Sequence, residues 1–491
     1  MPTPTSYGAT WSIGQEAAEK RGDGGARAAL LACLLMAVVV SEGYDFGVLN
    51  GAMVLIKEDF GITTLEVSLL AAVTPLAIIP GTMIGSHLAD WLGRWCALLM
   101  NCVLLAVGPL GMAMSSTLSA LVMFRIVVGV GIGAGLVVVN MYLAEITPAE
   151  LRGRFTMMED GGVNIGILLG YIANSSLMGS KDDWRWMLGF GTVLPSLVAV
   201  LLLLPQVPES PRWLFMAGFE AEAEATLVRF VGEDEARLSL ALMREQRQQV
   251  LESRSEASGG SPTPEDSRIF GGWLSTVAEA VRNPQFARTL LAGVTVSVAQ
   301  LACGMPIVLY FSSTVLKQTM STRDAFRVTM LIGFVKLLFL GVALLLLERA
   351  GRRALLLSSC IAVTLATFWL AMSFHNPDDI FTPALGFLVF TAAHSFGLGP
   401  VTYVYLAEVF PTEWRSKGMA LTLSSSRIFA IVQLIGFPVM LEEVGATETF
   451  ALQAAINAVL VGTIWAFVHE TGGHTLERVS ADCAMFATMG A

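Results

Sequence analysis

Charged residues are scarce in this chain of 491 residues: Asp, Glu, Lys and Arg make up 14%, whereas hydrophobic residues make up 54%. The mean hydropathy is +0.65. Soluble domains carry about 25% charged residues, so this composition excludes a string of soluble domains. Apolar runs of about 20 residues, the length that crosses a bilayer as an α-helix, recur along the sequence. The sequence therefore predicts a protein that spans the membrane many times.

Motifs for catalysis and metal binding are missing as well. We find no phosphate-binding loop, no nucleophile motif and no metal-ligand spacing, so neither an enzyme, a cofactor nor a metal site is expected. The cysteines lie mostly in apolar runs, which indicates small core residues rather than a disulfide framework. They are Cys33, Cys96, Cys102, Cys303, Cys360 and Cys483. The net charge of −10 is uninformative by itself, and no nucleic-acid partner is predicted.

Two copies of one unit are recognisable in the sequence. The string Leu143-Ala-Glu-Ile-Thr-Pro-Ala-Glu-Leu-Arg-Gly153 returns as Leu406-Ala-Glu-Val-Phe-Pro-Thr-Glu-Trp-Arg415. The offset is constant, since 408 − 145 and 415 − 152 both give 263. Asp90-Trp-Leu-Gly-Arg-Trp95 similarly matches Glu348-Arg-Ala-Gly-Arg-Arg353, with 351 − 93 = 258. Signatures in the same order at nearly the same spacing indicate an internal duplication.

The predicted fold class is an all-α membrane protein with twelve transmembrane helices in two six-helix bundles. The first six helices are predicted at 28–52, 67–89, 96–114, 120–143, 157–178 and 187–205. The second six are predicted at 288–312, 325–347, 354–374, 381–406, 418–440 and 448–468. The domains are an N-terminal tail (1–27), two bundles (28–205 and 288–469), a loop between them (206–287) and a C-terminal tail (470–491). The loop combines an amphipathic helical part with a flexible linker.

Basic residues are concentrated in the short connections after the even-numbered helices. These residues are Arg94, Arg152, Arg154, Arg349, Arg352, Arg353, Arg415 and Lys417. The opposite connections hold fewer basic residues and many acids. By the positive-inside rule both termini are therefore predicted to lie in the cytoplasm.

The same connections carry acids at matching places of the two copies. The residues of this inner-gate charge network are Asp90, Arg94, Glu145, Arg152, Glu209, Arg212, Glu348, Arg352, Glu408, Arg415 and Glu470. We predict ion pairs across the gap between the bundles when the inner mouth is shut, which part when it opens. Each pair is weak at an exposed site, but a network can bias a two-state equilibrium. The alternative is that the arginines only anchor the topology, although anchoring does not need the acids.

Five strings, taken in order, resemble the sugar porter family of the major facilitator superfamily. They are Gly43-Tyr-Asp45, Asp90-x-x-Gly-Arg94, Pro208-Glu-Ser-Pro-Arg-Trp213, Glu348-Arg-Ala-Gly-Arg-Arg353 and the repeated string at Leu143. Within that family the chain is most similar to plant polyol and monosaccharide transporters, through Gly166-Ile-Leu-Leu-Gly-Tyr171, Val335-Lys336 and Gly397-Leu-Gly-Pro-Val-Thr402. The resemblance implies two bundles that rock around a central site.

Charges inside the predicted helices are candidates for function, because ionisable groups are costly in a bilayer. Asp45 and Arg125 lie at similar depth and can pair. In proton-coupled members of the resembling family, the matching acid carries the proton and the matching Arg tunes it, which implies proton symport. Alternatively the pair only locks helix one to helix four. Glu42, one turn from Asp45, either shares the proton or merely meets water or headgroups, and His394 is interpreted as a packing residue.

Hydroxyl-rich cargo needs polar side chains that donate and accept, with aromatic faces beside them. The predicted cargo-binding residues are Gln300, Lys336, Asp160, Tyr403, Tyr310, Phe311, Thr402 and Asn164. Lys336 and Asp160 either bind cargo hydroxyls or pair with each other. The family carries a Gln-Gln pair in helix seven, but Leu301 replaces the second Gln here, and Pro306 is expected to kink the helix.

The leading hypothesis is proton-coupled symport of a polyol or monosaccharide across the plasma membrane by alternating access. Its partners are then a small polyol or sugar, the proton and the lipid bilayer, and the protein is expected to be a monomer. The alternative rests on Leu301 and Pro306: a transporter-like protein with weakened or lost sugar affinity, acting as a sensor or a non-functional paralogue.

Overall fold

The computed structural model describes residues 22–146, 152–180, 182–204, 207–233, 236–245, 248, 284–375, 380–410 and 415–471. Within these ranges the regular structure is helical, with no strand. Eleven spans in the described residues are long and apolar enough to cross a membrane. The prediction of an all-α membrane protein is confirmed.

The first half of the chain contains seven α-helices in its described residues. They are α1 (Gly22–Phe60), α2 (Thr64–Leu92), α3 (Arg94–Met114), α4 (Leu118–Ile146), α5 (Arg152–Leu177), α6 (Asp183–Gly189) and α7 (Val193–Leu202). Helix α1 is longer than predicted and ends before Gly61, whose φ of +61° a side chain would disfavour. Helix α2 begins at a capping box, in which Thr63 and Glu66 bond each other's backbone N–H groups.

Two short helices follow the first half, α8 (Pro211–Ala217) and α9 (Glu220–Val231), and residues 236–245 are also helical. Leu214, Phe215, Leu227 and Leu240 pack together in a small apolar cluster of their own. The predicted amphipathic part of the loop therefore folds on itself. The predicted flexible linker and most of both predicted tails lie outside the described residues.

The second half contains eight α-helices in its described residues. They are α10 (Pro284–Ala302), α11 (Met305–Leu316), α12 (Thr322–Ala350), α13 (Arg352–Ser373), α14 (Phe381–Ser395), α15 (Leu398–Val409), α16 (Arg415–Glu443) and α17 (Ala446–Phe467).

Three helices predicted as continuous are broken in two. The predicted sixth is divided into α6 and α7 by the 3-10 turn Phe190–Thr192, and the predicted tenth into α14 and α15 at Gly397. The predicted seventh is divided into α10 and α11 at Gly304, whose φ of +103° ends the helical path. Pro306 stands in the first turn of α11, where its missing N–H removes no helical hydrogen bond. The break therefore precedes the proline that was predicted to cause it.

Helix α5 is not among the eleven apolar spans, because glycine and polar residues replace part of its apolar surface. The glycines of α5, together with glycines of α1, allow the two helices to pack closely. A Cβ atom on Gly43 would lie 2.1 Å from the carbonyl oxygen of Val163, and one on Gly166 would lie 2.1 Å from that of Val40. The two backbones therefore touch, as small residues allow in membrane helices. This contact fixes Glu42 and Asp45 relative to the polar side chains of α5.

The two halves face each other through α1 against α11, α2 against α16 and α5 against α12. We call the end that carries Arg94 and Arg352 the motif end. The hydrogen bonds and the ion pair found between the halves in the described residues lie toward the other end, where Asn50 of α1 bonds α11 and Lys317 pairs with Glu58. Tyr171 of α5 also donates to the carbonyl oxygen of Leu309. The structure is therefore closed at the end opposite the motifs.

Candidate functional site

A cavity of about 150 Å³ lies between the two halves. Its polar and charged wall residues are Glu42, Asp160, Asn164, Gln300, Lys336, His394, Ser395, Tyr403 and Arg427. A larger hollow of about 430 Å³ lies between α1 and α7, but apolar residues such as Met36 and Leu194 line it. Because hydroxyls need hydrogen-bonding partners, the smaller polar cavity is the candidate site.

Asp45 and Arg125 form the predicted ion pair between α1 and α4. The Nη1 atom of Arg125 lies 2.6 Å from each carboxylate oxygen of Asp45. The pair is buried, with relative exposures of 0% for Arg125 and 4% for Asp45. Nε and Nη2 of Arg125 have no hydrogen-bond partner among the described residues. The Tyr310 hydroxyl also interacts with Arg125, but Asp45 is the only charged partner found for this cation in the described residues, so neutralising Asp45 leaves the guanidinium charge uncompensated.

Glu42 lies on the cavity wall and is only 1% exposed. Its Oε1 atom and Nδ2 of Asn101 both lie against Gly135, where a Cβ atom would meet them at 1.9 and 2.7 Å. Neither atom has a partner in the described part of the chain. Placement among headgroups, one of the two alternatives for Glu42, does not match this burial. Glu159, which is not among the predicted site residues, repels Glu42 and accepts a hydrogen bond from Asn140 over 2.9 Å.

Asp160 of α5 and Lys336 of α12 face each other across the cavity. They attract each other electrostatically without forming a direct ion pair in the described residues. Asn164 Nδ2 donates to Asp160 Oδ2 over 3.3 Å. The separation leaves both predicted roles open, because each charge can attract the other and still meet a cargo hydroxyl.

Gln300 reaches the wall from α10, and its Nε2 donates to the carbonyl oxygen of Gly399 over 3.1 Å. Tyr403 lies beside it. His394 Nε2 lies 3.2 Å from the Gln300 carbonyl oxygen, which matches its interpretation as a packing residue. Leu301 also lies on the wall, where an apolar surface replaces the amide expected from the family.

Three predicted cargo-binding residues do not line the cavity in this conformation. Thr402 donates to the Leu398 carbonyl oxygen of its own helix, and Phe311 is buried in the apolar core. Tyr310 lies close to Asp45 and Arg125 instead, and its ring packs edge-on against Phe46 at 6.3 Å. The depth of these residues follows from the sequence, but which side of each helix faces the cavity depends on the breaks at Gly304, before Tyr310 and Phe311, and at Gly397, before Thr402.

Side-chain amides hold the ends of that break. Gln433 Nε2 and Gln453 Nε2 donate to the Ala302 carbonyl oxygen over 2.7 and 2.8 Å. Asn457 Nδ2 donates to the Cys303 carbonyl oxygen over 3.1 Å. The break leaves carbonyl groups without helical partners, and these amides satisfy them inside the membrane.

Arg427 of α16 is a further charged residue on the cavity wall and is not among the predicted site residues. A charge in the middle of the predicted helix 418–440 was itself a signal. No hydrogen bond or ion pair of its guanidinium is found among the described residues. Its electrostatic neighbours include Tyr310 and Tyr403.

The first copy of the gate motif folds around Arg94. Its Nε and Nη2 each lie 2.9 Å from an oxygen of Glu145. Its backbone N–H, at the start of α3, donates to Glu209 over 2.8 Å. Gly93 has a φ of +94°, and a Cβ there would meet Glu209 Oε2 at 2.2 Å, so glycine admits this carboxylate to the helix N-terminus. Burial raises the pKa of Glu209, although the N–H groups around it and the Arg94 charge act in the opposite direction.

The second copy repeats this arrangement in the other half. Arg352 Nη2 lies 2.9 Å from Glu408 Oε1, and the Arg352 backbone N–H donates to Glu470 over 2.7 Å. Gly351 again has a positive φ, of +77°, beside that carboxylate. The contacts of Arg94 and Arg352 therefore lie within their own halves, and pairing across a shut motif end stays a prediction.

The remaining gate residues are less involved. Asp90 Oδ1 lies 3.4 Å from Arg94, and Arg212 is exposed at the start of α8. The side chains of Arg152, Glu348 and Arg415 lie outside the described part of the chain.

The family model described as "Sugar (and other) transporter" matches residues 30–482. The chain belongs to this sugar transporter family. Probable polyol transporter 6 of Arabidopsis thaliana is 32% identical over 473 residues, which cover 92% of this chain and 93% of that protein. Putative metabolite transport protein YwtG of Bacillus subtilis is 27% identical and covers 90% of this chain and 92% of its own.

Solved structures show the same fold. The inward open conformation of the xylose transporter XylE from E. coli superimposes with a TM-score of 0.77 at 22% identity, over 92% of this chain and 99% of that one. A D-xylose-proton symporter gives 0.71 over 90% and 98%. The major facilitator fold and the sugar porter resemblance are thereby confirmed. This sugar transporter is a multi-pass membrane protein and not an enzyme.

Proposed function

We propose that this sugar transporter couples the movement of a polyol or monosaccharide to the movement of a proton. The cavity supports the cargo assignment, because it combines amide, phenol, ammonium and carboxylate groups within about 150 Å³. Drug-sized ligands need about 300–1,000 Å³, so a cavity of this size suits a small cargo. Relatives named as polyol transporters support the same cargo class.

The buried pair of Asp45 and Arg125 carries the proposal of proton coupling. In this conformation Nη1 of Arg125 lies 2.6 Å from both carboxylate oxygens of Asp45, and the end opposite the motifs is closed. Among the described residues Asp45 is the only charged partner found for the buried Arg125 guanidinium, so protonation of Asp45 leaves that cation uncompensated and in need of water. The protonated form therefore favours opening at the end opposite the motifs, where water can reach Arg125. Coupling follows because the proton and the conformation depend on each other.

We further propose that the motif end and both termini face the cytoplasm, that the protein is a monomer and that it resides in the plasma membrane. The excess of Arg and Lys at the motif end supports this orientation. With the opposite end facing outward, uptake rises as the external pH falls, because Asp45 then gains its proton from outside.

The test is a transport screen of polyols, hexoses and pentoses in reconstituted vesicles, with and without a pH gradient. Asp45→Asn is expected to abolish accumulation driven by the gradient. Asp324→Asn, the same change at an exposed carboxyl outside the cavity, is the matched control. Accumulation that persists in Asp45→Asn contradicts the coupling.

The sensor alternative has one observation in its favour, the apolar side chain of Leu301 on the cavity wall. It predicts that no cargo in the screen is taken up, with or without a gradient. Saturable uptake of any polyol or sugar removes it.

A further inference from the structure

Arg427 is the starting point for a statement about the chemical class of the cargo. It projects from α16 onto the wall of the central cavity. Arg125, Arg94 and Arg352 each bind a carboxylate, whereas Arg427 forms no ion pair in the described residues. A cation without a partner is costly at this depth in a membrane and is a candidate for function.

The other charges on the cavity wall do not neutralise Arg427. Asp160 interacts with Lys336, which faces it from α12. Glu42 lies against Gly135 and Asn101 on the side of α4 and α3. The groups that interact with Arg427 include the phenols of Tyr310 and Tyr403, which are poor substitutes for a carboxylate. One positive charge on the wall is thus available to a ligand.

We propose that the cavity binds a cargo that carries a carboxylate as well as hydroxyls, such as an aldonate or a uronate, and that Arg427 binds the carboxylate. This inference rests on the proposed function, because it concerns the same cavity. The planar guanidinium matches a carboxylate with two parallel hydrogen bonds. Gln300, Tyr403 and Asp160 remain for the hydroxyls. A monoanion suits the site better than a phosphate dianion, because Lys336 faces Asp160 and Arg427 is the only cation of the cavity wall for which the described residues show no facing carboxylate.

The experiment compares ligand pairs that differ only in the exchange of CH₂OH for a carboxylate. The pairs are sorbitol with D-gluconate and D-glucose with D-glucuronate, at equal ionic strength. Binding to the purified full-length protein is read from the rise in its unfolding temperature, and transport is read from uptake into vesicles. The acid is expected to half-saturate the protein at a concentration about tenfold or more below that of its neutral partner.

Variants of Arg427 separate recognition of the carboxylate from general effects. Arg427→Gln is expected to lower the preference for the acid, expressed as the ratio of the two half-saturating concentrations, by about tenfold or more. Arg427→Lys keeps the charge but loses the paired N–H donors of the planar guanidinium. Its ratio is therefore expected to lie between those of the wild type and Arg427→Gln. Arg327→Gln, at an exposed site outside the cavity, is the control and is expected to keep the wild-type ratio. Size-exclusion profiles and unfolding temperatures without ligand show that each variant is folded.

Three results overturn the inference: equal binding of acid and neutral ligand by the wild type, an unchanged ratio in Arg427→Gln, or stronger binding of glucose 6-phosphate than of D-glucuronate. Uptake of sorbitol without preference for gluconate overturns this inference and leaves the proposed function intact. Uptake of gluconate with no uptake of any neutral cargo supports the inference. It contradicts the proposed function as far as a neutral polyol is the cargo.

Discussion

Asn50 in α1 accepts a hydrogen bond from the backbone N–H of Ser313 in α11 over 3.1 Å, across the boundary between the two halves. The same amide donates to the Leu309 carbonyl oxygen over 2.7 Å and to Ser312 Oγ over 2.9 Å. All of these groups are buried or partly buried. A single side chain therefore accounts for much of the polar contact that closes the end opposite the motifs.

Replacing this side chain is expected to open that end. In Asn50→Ala the N–H of Ser313 and the carbonyl of Leu309 each lose one hydrogen bond, at a net cost of about 1 kcal/mol per bond. Spin labels at Ile62 and Gln318, in a background without native cysteines, should report a larger population of long distances. Lys317→Gln removes only an exposed ion pair and is expected to change the distances little. Equal effects of the two substitutions would contradict the role given to Asn50.

The two gate motifs have the same design but different burial, which predicts unequal stability effects. The side chains of Arg94 and Glu145 are each 10% exposed, whereas those of Arg352 and Glu408 are 19% and 27% exposed. Breaking a buried pair costs about 3–5 kcal/mol, and an exposed pair contributes about 1 kcal/mol or less. Arg94→Ala should therefore lower the unfolding temperature more than Arg352→Ala. The measurement is thermal unfolding in detergent, and a larger loss in Arg352→Ala would refute this ranking.

The contact between α1 and α5 allows a prediction with an internal control. A Cβ atom on Gly43 would lie 2.1 Å from a backbone oxygen of Val163, which cannot move aside without shifting α5. Gly43→Ala is expected to destabilise the protein by about 1–3 kcal/mol or more. Gly462 in α17 has no atom within 4 Å of the same position, so Gly462→Ala should be neutral or stabilising. Unfolding temperatures of the two variants decide the matter, and similar values would show that the helices are not packed this closely.

The sequence predicts the parts of this molecule that depend on pattern and depth. The repeated strings bring Arg94 and Glu145, and likewise Arg352 and Glu408, to equivalent ends of the two halves, although the pairs found in the structure lie within each half rather than across the gap. Counting residues from the helix ends brings Asp45 and Arg125 to one level, and they meet. These relations need only the helical repeat and the hydrophobic thickness of the bilayer.

Other parts depend on how helices rotate and pack, which one sequence does not reveal. The break at Gly304 requires amides from two helices more than 100 residues away, Gln433 and Gln453. Because the break turns α11, it decides that Leu309 lines the cavity and Phe311 does not. Arg427 was visible as an intramembrane charge, but its lack of a partner is a property of the folded neighbourhood.

Leu301 allows a direct test of whether the loss of the second amide has altered or abolished the binding of neutral cargo. It lies on the wall next to Gln300, where the resembling family has a second amide. Leu301→Gln adds two donors and one acceptor, and each new hydrogen bond to a cargo hydroxyl contributes about 1 kcal/mol. The half-saturating concentration of a polyol is therefore expected to fall about fivefold to tenfold, as measured by uptake into vesicles. Leu301→Met keeps the wall apolar and should leave that concentration near the wild-type value.

Two other outcomes would contradict this expectation. Uptake that appears only in Leu301→Gln would show that the native protein has lost transport of neutral cargo. No change in either variant would show that the cargo does not contact residue 301.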